Sequence, residues 1–518
     1  MNAGGIRVAA NVMCPGADGT RLATDVFRPD CEEGVPAVLL RTPYGRGAHA
    51  DEGLGWVSNG FAFIVQDTRG RGDSDGTFEP YAHEAADGLV ALEWVRAQPW
   101  CSGDVFMVGG SYAAFCAWAV AVVRPPGLRG LVSLVPAMGT HRTAFTESGI
   151  LNLGDLVWWW SSFAEGRGER KRLVELMLTR EPSVLMHLPV VELDSRLWVQ
   201  LADWRAVVEQ GPGHRPGWAI SEELIARVEV PILHIGGWHD PFIRETLAHF
   251  TIAGSAVSPR PRQDLVVGPW THTIDFDSPS VGVRDYGPAA RLPLGQLMVN
   301  WMREVLACQG RGSKRVFIGG ANCWREDVWP LGGTGVRRLY AEAGGRLAFS
   351  VPAATAEATF MDDPLQPFPS CSLPLDVTET LERPDAIRFV TEPLERPLAW
   401  AGVPVAVITG SADSESCDWV ARLVEIQPGG RAVYITHGIV EAVGGSGYRQ
   451  VRVPLAPCAI SIAPGSRLCL QVAGSYFPEH ARNLHTGDRY RSRDCRPATQ
   501  QVLLDGTTYV ELPEISPG

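Results

Sequence analysis

The sequence predicts an α/β architecture: a mostly parallel sheet interrupted by a helical insertion and followed by an all-β module. Three observations carry this expectation. Short apolar runs alternate with helical stretches over residues 1–142 and again over 229–330. Residues 143–228, between them, form a tryptophan-rich helical tract, and residues 331–518 hold many short β-rich runs cut by Pro and Gly. At 518 residues the chain also exceeds what one core supports, about 250–300 residues, so several domains are expected.

Taken in order, residues 37–42 (AVLLRT) and 61–66 (FAFIVQ) read as buried strands. Residues 81–98 place Ala85, Leu89, Leu92 and Val95 at helical spacing. Residues 105–108 form the next strand, an apolar helix runs from Ser111 to the stop at Pro125-Pro126, and residues 128–135 form another strand. The tract that follows contains Trp158, Trp159, Trp160, Trp198, Trp204 and Trp218 and reads as an inserted cap. Alternation resumes with a strand at 230–236, a helix at 241–252, a strand at 264–267 and a helix near 292–307. The last third, with VPVAVITG, RAVYITHG, RLCLQV and TTYVEL, reads as a β-sandwich or jelly roll.

Composition excludes several classes of function. A net charge of −12 repels phosphate backbones and anionic lipid, so no nucleic acid and no membrane are expected as partners. The apolar run 113–123 is far below the ~20 residues of a bilayer span. The N-terminal stretch has no basic start leading into an apolar region, so the expected location is cytoplasmic. Eleven cysteines occur without CxxC pairs or His/Cys metal spacing and read as reduced thiols, with no metal and no cofactor expected. Cys116, inside the apolar helix, reads as core packing.

The chemistry begins at Gly109-Gly110-Ser111-Tyr112-Ala113, between an apolar strand and an apolar helix. This is the context in which a nucleophile elbow projects a serine from a sharp turn, the small flanking residues allowing strand and helix to approach. A more literal match, Gly72-Asp73-Ser74-Asp75-Gly76, follows no strand and sets Ser74 between two carboxylates that oppose a developing alkoxide. It reads as a structured loop with its Asp and Arg residues paired.

A serine hydroxyl needs an imidazole to take its proton and a buried carboxylate to orient that imidazole. In the α/β-hydrolase order of Ser, acid and His, Asp240 ends the run PILHIGGWH and His272 follows DLVVGPWT, each at a strand's carboxyl end. His234 reads as a hydrogen-bonded core residue and His249 lies inside a helix. His239 is the rival base, but a residue beside the acid points away from it. One oxyanion donor is expected from the Tyr112 amide; the second falls in RTPYG after the strand 37–42, where the Tyr44 hydroxyl is a candidate.

These segments together resemble the CocE/NonD-type hydrolases, the group of cocaine esterase, α-amino acid ester hydrolases and X-prolyl dipeptidyl aminopeptidases. The pieces are DGTRLATDVFRP, RTPYGR, QDTRGRGDSDGTFEPY, QPWCSGDVFMVGGSYAAF, GGWHDPF, VVGPWTH, EPLERPLAWAGVPVA, CDWVARL and YFPEHARNLHTG, in one order over nearly the whole chain. The resemblance implies an α/β-hydrolase fold with an inserted helical cap and a C-terminal jelly roll. It also implies Ser111, Asp240 and His272 as the triad, and Tyr44 with the Tyr112 amide as oxyanion donors. The substrate implied is a small-molecule ester or amide, cleaved through an acyl-enzyme; dipeptide release and acyl transfer are the alternatives, and a homodimer is left open. The amino-acid ester hydrolases set acidic residues beside the catalytic Asp to bind an ammonium, whereas here Asp240 is followed by Pro241-Phe242-Ile243. That favours an uncharged acyl group against Phe242, with Trp159 and Trp160 as further pocket candidates, unless Glu147, Asp155 or Glu165 of the cap supplies the carboxylate.

Overall fold

The computed structural model describes residues 5–139, 143–164, 170–199, 201, 203–211, 219–328 and 335–516. Trp218, Glu165 and the junction at 330–331 lie outside the described residues.

Ten strands form the first sheet: β1 (Ile6–Pro15), β2 (Arg21–Pro29), β3 (Val35–Thr42), β4 (Ala62–Asp67), β5 (Cys101–Gly110), β6 (Leu128–Leu134), β7 (Ile232–His239), β8 (Gln263–Thr271), β9 (Lys314–Ile318) and β10 (Cys323–Arg325). Their spatial order is β1-β2-β4-β3-β5-β6-β7-β8-β9-β10. From β4 to β9 every neighbouring pair is parallel, and antiparallel strands close both edges. The parallel strands are continuous apolar runs because both faces are covered. Leu39, Ile64, Met107 and Leu131 pack in one core with residues of α2 (Glu84–Arg96) and α3 (Tyr112–Ala121). Val38, Phe63, Phe106 and Val132 point the other way, into a core with α1 (Ala50–Ser58) and the helix Leu294–Leu306. All ten residues of α3 are buried, so Cys116 is a core residue.

Three elements differ from expectation. β1 and β2 had no period-2 signal, since β1 is exposed at most positions and sits at the sheet edge. The helix expected over 81–98 starts at Glu84, because Tyr81 adopts φ 68° and its amide donates to the Tyr112 hydroxyl at 2.7 Å.

Between β6 and β7 lies the helical cap, including α4 (Leu153–Trp159), a π-turn Trp160–Ala164 and helices Lys171–Arg180 and Trp204–Gln210. Among the described residues no helix is long and apolar enough to cross a membrane. The last third is a β domain whose nine-stranded sheet is dominated by the hairpin Val405–Ile426 with Ala432–Pro454. Its segment 476–490 is laced to the cap: Gly154 N–H donates to Pro478 O at 2.9 Å, Ala481 N–H to Leu151 O at 2.9 Å, and Leu151 N–H to the Tyr490 hydroxyl at 3.0 Å.

Candidate active site

The nucleophile turn is built by close approach. A methyl group on Gly109 would lie 2.2 Å from Ala113 O, so only glycine lets β5 run this close to α3. With the strand side bare, Ala113 is accommodated on the helix side. Ser111 is held at φ 57°, ψ −125°, a strained conformation for a residue with a side chain, its amide donating to Leu134 O at 3.0 Å.

Three strand ends meet there. His272, directly after β8, places Nε2 3.0 Å from Ser111 Oγ and Nδ1 2.8 Å from Asp240 Oδ1. The Asp240 side chain is wholly buried, whereas that of His272 is 35% exposed, so a substrate reaches the imidazole but not the carboxylate. Burial pulls the His272 pKa down, but the hydrogen bond and charge of Asp240, with the charge of Asp155, outweigh it and leave the imidazole above its ordinary range.

The donors converge from the opposite side. Tyr44, after β3, sets its hydroxyl 3.2 Å from Ser111 Oγ. That hydroxyl accepts from Trp159 Nε1 at 3.2 Å. With that donor on a lone pair, the Tyr44 proton can point toward Ser111. Burial raises the Tyr44 pKa, so the phenol stays protonated.

The rival residues are occupied elsewhere. Ser74 is fully buried; its Oγ accepts from Ala23 N at 2.9 Å and donates to Asp67 O at 2.8 Å. Around it Arg21 pairs with Asp75, Arg69 with Asp18 and Asp87, and Arg46 with Asp25, Asp67 and Asp73. His239 is 2.6 Å from the Tyr286 hydroxyl, and burial pulls its pKa down to about 3. His234 Nε2 meets Gln263 Oε1 at 2.8 Å inside the core, and His249 pairs with Glu245 within its helix. Phe242 packs edge-on against the His272 ring at 5.1 Å. Trp159 stacks on Tyr112 at 5.7 Å. Trp160 departs from expectation: at 3% exposure it is turned into the core, its ring edge-on to that of Trp159.

Comparison with known proteins follows this geometry. Residues 18–274 match the family described as X-Pro dipeptidyl-peptidase (S15 family), and residues 309–511 match the X-Pro dipeptidyl-peptidase C-terminal non-catalytic domain. Cocaine esterase of Rhodococcus sp. (strain MB1 Bresler) is 29% identical over 549 residues, covering 93% of each chain. The chain thus carries both regions of the X-Pro dipeptidyl-peptidase (S15) type and is similar to cocaine esterase over nearly its whole length. Two solved structures share the fold over 99% of this chain and 97% of theirs. One is an aminopeptidase from a marine sediment Thaumarchaeota archaeon (TM-score 0.85, 21% identity), the other an α-amino acid ester hydrolase (TM-score 0.84, 20% identity).

In this hydrolase Phe163 and Arg71, both beside the site, carried no usable sequence signal. Phe163 meets the Tyr44 ring edge-on at 4.9 Å. Arg71, from the GRGDS loop, donates to Pro43 O at 2.8 Å and to Phe163 O at 2.7 Å, so the loop of the decoy serine braces Tyr44 against the cap. Asp155 on α4 lies close enough to His272, Asp240 and Glu479 to interact with their charges. Burial, then Glu479, raises its pKa to about 6. In the β domain His437, Glu479 and His480 bring three possible ligand atoms within 4.8 Å of one another. Only Glu479 and His480 adjoin in sequence, and the fold of the β domain brings His437 to them.

Proposed function

We propose that this chain is a serine hydrolase of carboxylic esters acting through an acyl-enzyme on Ser111. The observation that carries the reading is the continuous path Asp240–His272–Ser111 at 2.8 and 3.0 Å, with the Tyr44 hydroxyl on the far side of the same oxygen. His272 Nε2 takes the Ser111 proton as Oγ bonds to the carbonyl carbon. Asp240 holds Nδ1–H and stabilises the imidazolium. The carbonyl oxygen becomes an oxyanion between the Tyr44 hydroxyl and the Tyr112 amide. His272 then returns the proton to the leaving oxygen as the ester bond breaks. Water attacks the acyl-serine by the same proton route in reverse, releasing acid and restoring Ser111. In the same reading the β domain is a jelly roll and the compartment is the reducing cytoplasm, which eleven free thiols favour.

A second reading, dipeptide release from a substrate with a free ammonium, is favoured by Asp155, whose carboxylate faces the triad from the cap. Phe242 against His272 favours the uncharged ester. Nitrophenyl esters, aminoacyl esters and Gly-Pro or Ala-Pro anilides assayed side by side separate the two. Turnover of the plain esters is expected to dominate; preference for the anilides overturns the esterase reading. A fluorophosphonate should label Ser111 in either case.

A further inference from the structure

The β domain and the cap enclose a second constellation. His437 and His480 are 8% and 6% exposed, and both aim Nε2 at one oxygen of Glu479, at 3.1 and 3.8 Å. Their other nitrogens are already engaged: His437 Nδ1 lies 2.8 Å from the Tyr434 hydroxyl and His480 Nδ1 3.0 Å from Asn152 Oδ1. The Asn152 amide donates through Nδ2 to Thr143 O at 3.1 Å, which fixes Oδ1 as an acceptor. His480 Nδ1 therefore donates to Asn152, and the two Nε2 atoms converge with Glu479 Oε1, all three within 4.8 Å of one another, an arrangement that can hold a cation between them.

We propose that His437 Nε2, Glu479 Oε1 and His480 Nε2 of the β domain bind one divalent transition-metal ion of the zinc class beside the cap residue Asn152. A tetrahedral ion with bonds of about 2.0–2.1 Å separates its ligand atoms by roughly 3.4 Å, and the two nitrogen–oxygen separations of 3.1 and 3.8 Å straddle that value. Two imidazoles and a carboxylate suit zinc over calcium or magnesium, which prefer all-oxygen sites. Tyr434 and Asn152 act as the outer hydrogen-bond partners that ligating histidines need to fix ring orientation. The site shares no residue with the triad.

The test uses the full-length chain. Equilibrium dialysis against Zn²⁺, and titration with Co²⁺ read by visible absorption, should show one tight equivalent and a raised Tm. Ser111→Ala and His272→Gln should retain that equivalent. His437→Gln and His480→Gln should lose it, and Tyr434→Phe should weaken it by about 10-fold or more. Fluorophosphonate labelling of Ser111 in the His437 and His480 variants shows that they fold. If the wild-type chain takes up no saturable equivalent, or takes it up equally in the double variant His437→Gln/His480→Gln, the cluster is an ion pair and the proposal falls. Loss of the equivalent in His272→Gln alone would move the ion to the triad and equally overturn it.

Discussion

Replacing Tyr44 with Phe removes one hydroxyl and tests the oxyanion assignment directly. The ring keeps its edge-on contact with Phe163 at 4.9 Å, so packing is preserved. What is lost in the ground state is the acceptor of the Trp159 Nε1–H, 3.2 Å away. Trp159 is only partly buried, and water can replace that acceptor, so the stability cost is about 1 kcal/mol. In the transition state, one of two donors aimed at the oxyanion disappears, which costs roughly 3–4 kcal/mol, or about 10²–10³ in kcat. The two magnitudes separate the roles: kcat should fall by that factor with KM nearly unchanged and Tm shifted by only a few degrees. Steady-state kinetics on a nitrophenyl ester beside a melting curve measure all three. Trp159→Phe adds a second arm: it should slow turnover by roughly 10-fold in the wild type and have little further effect in Tyr44→Phe, because it acts through that hydroxyl. A well-folded Tyr44→Phe with near wild-type kcat refutes the assignment. Additive effects in the double variant refute the role of Trp159.

Ser111→Ala should lose about 10⁴-fold or more in turnover with an unchanged melting temperature. Ser74→Ala should show the converse, keeping its kcat but losing about 1–3 kcal/mol of stability, since it strands the buried Ala23 N–H and Asp67 O. His272 must be neutral to accept the Ser111 proton, and its pKa is raised. Activity should therefore be full above that pKa and fall on acidification, beginning at higher pH than for an ordinary histidine. Asp155→Asn removes one of the charges that raise it, so the acid limb of kcat/KM should move to lower pH; an unmoved limb would separate Asp155 from the triad. Gly109→Ala places a methyl 2.2 Å from Ala113 O and should cost roughly 3 kcal/mol, read as a large drop in Tm.

Much of the site was legible because its groups stand at strand ends, where an apolar run stops at a polar residue. Asp240 after β7 and His272 after β8 could be located from that pattern alone. The decoy Ser74 could be rejected because it does not directly follow a strand: residues 68–73 separate it from the end of β4. Contacts that depend on how separate chain segments pack carried no local pattern. Arg71 reaches Phe163 across 92 positions and His480 reaches Asn152 across 328. Trp159 and Trp160 were indistinguishable as neighbours in a tryptophan run; successive helical residues point in different directions, and here one ring reaches Tyr44 while the other enters the core. The exposed strand β1 gave no alternation because its register is set by β2, not by a buried face of its own.

The lacing of the cap by segment 476–490 bears on how such chains are recombined. The start of α4 and the residue just before it are fastened by Pro478 and His480, which lie more than three hundred positions downstream. A chimera that exchanges the cap alone would sever those clasps and leave Trp159 and Asp155 without fixed anchorage, even with Ser111, Asp240 and His272 untouched. Cap and β domain therefore travel as one inheritable unit. Changes of substrate preference within this architecture should arise from paired substitutions on the two sides of that seam more readily than from either side alone.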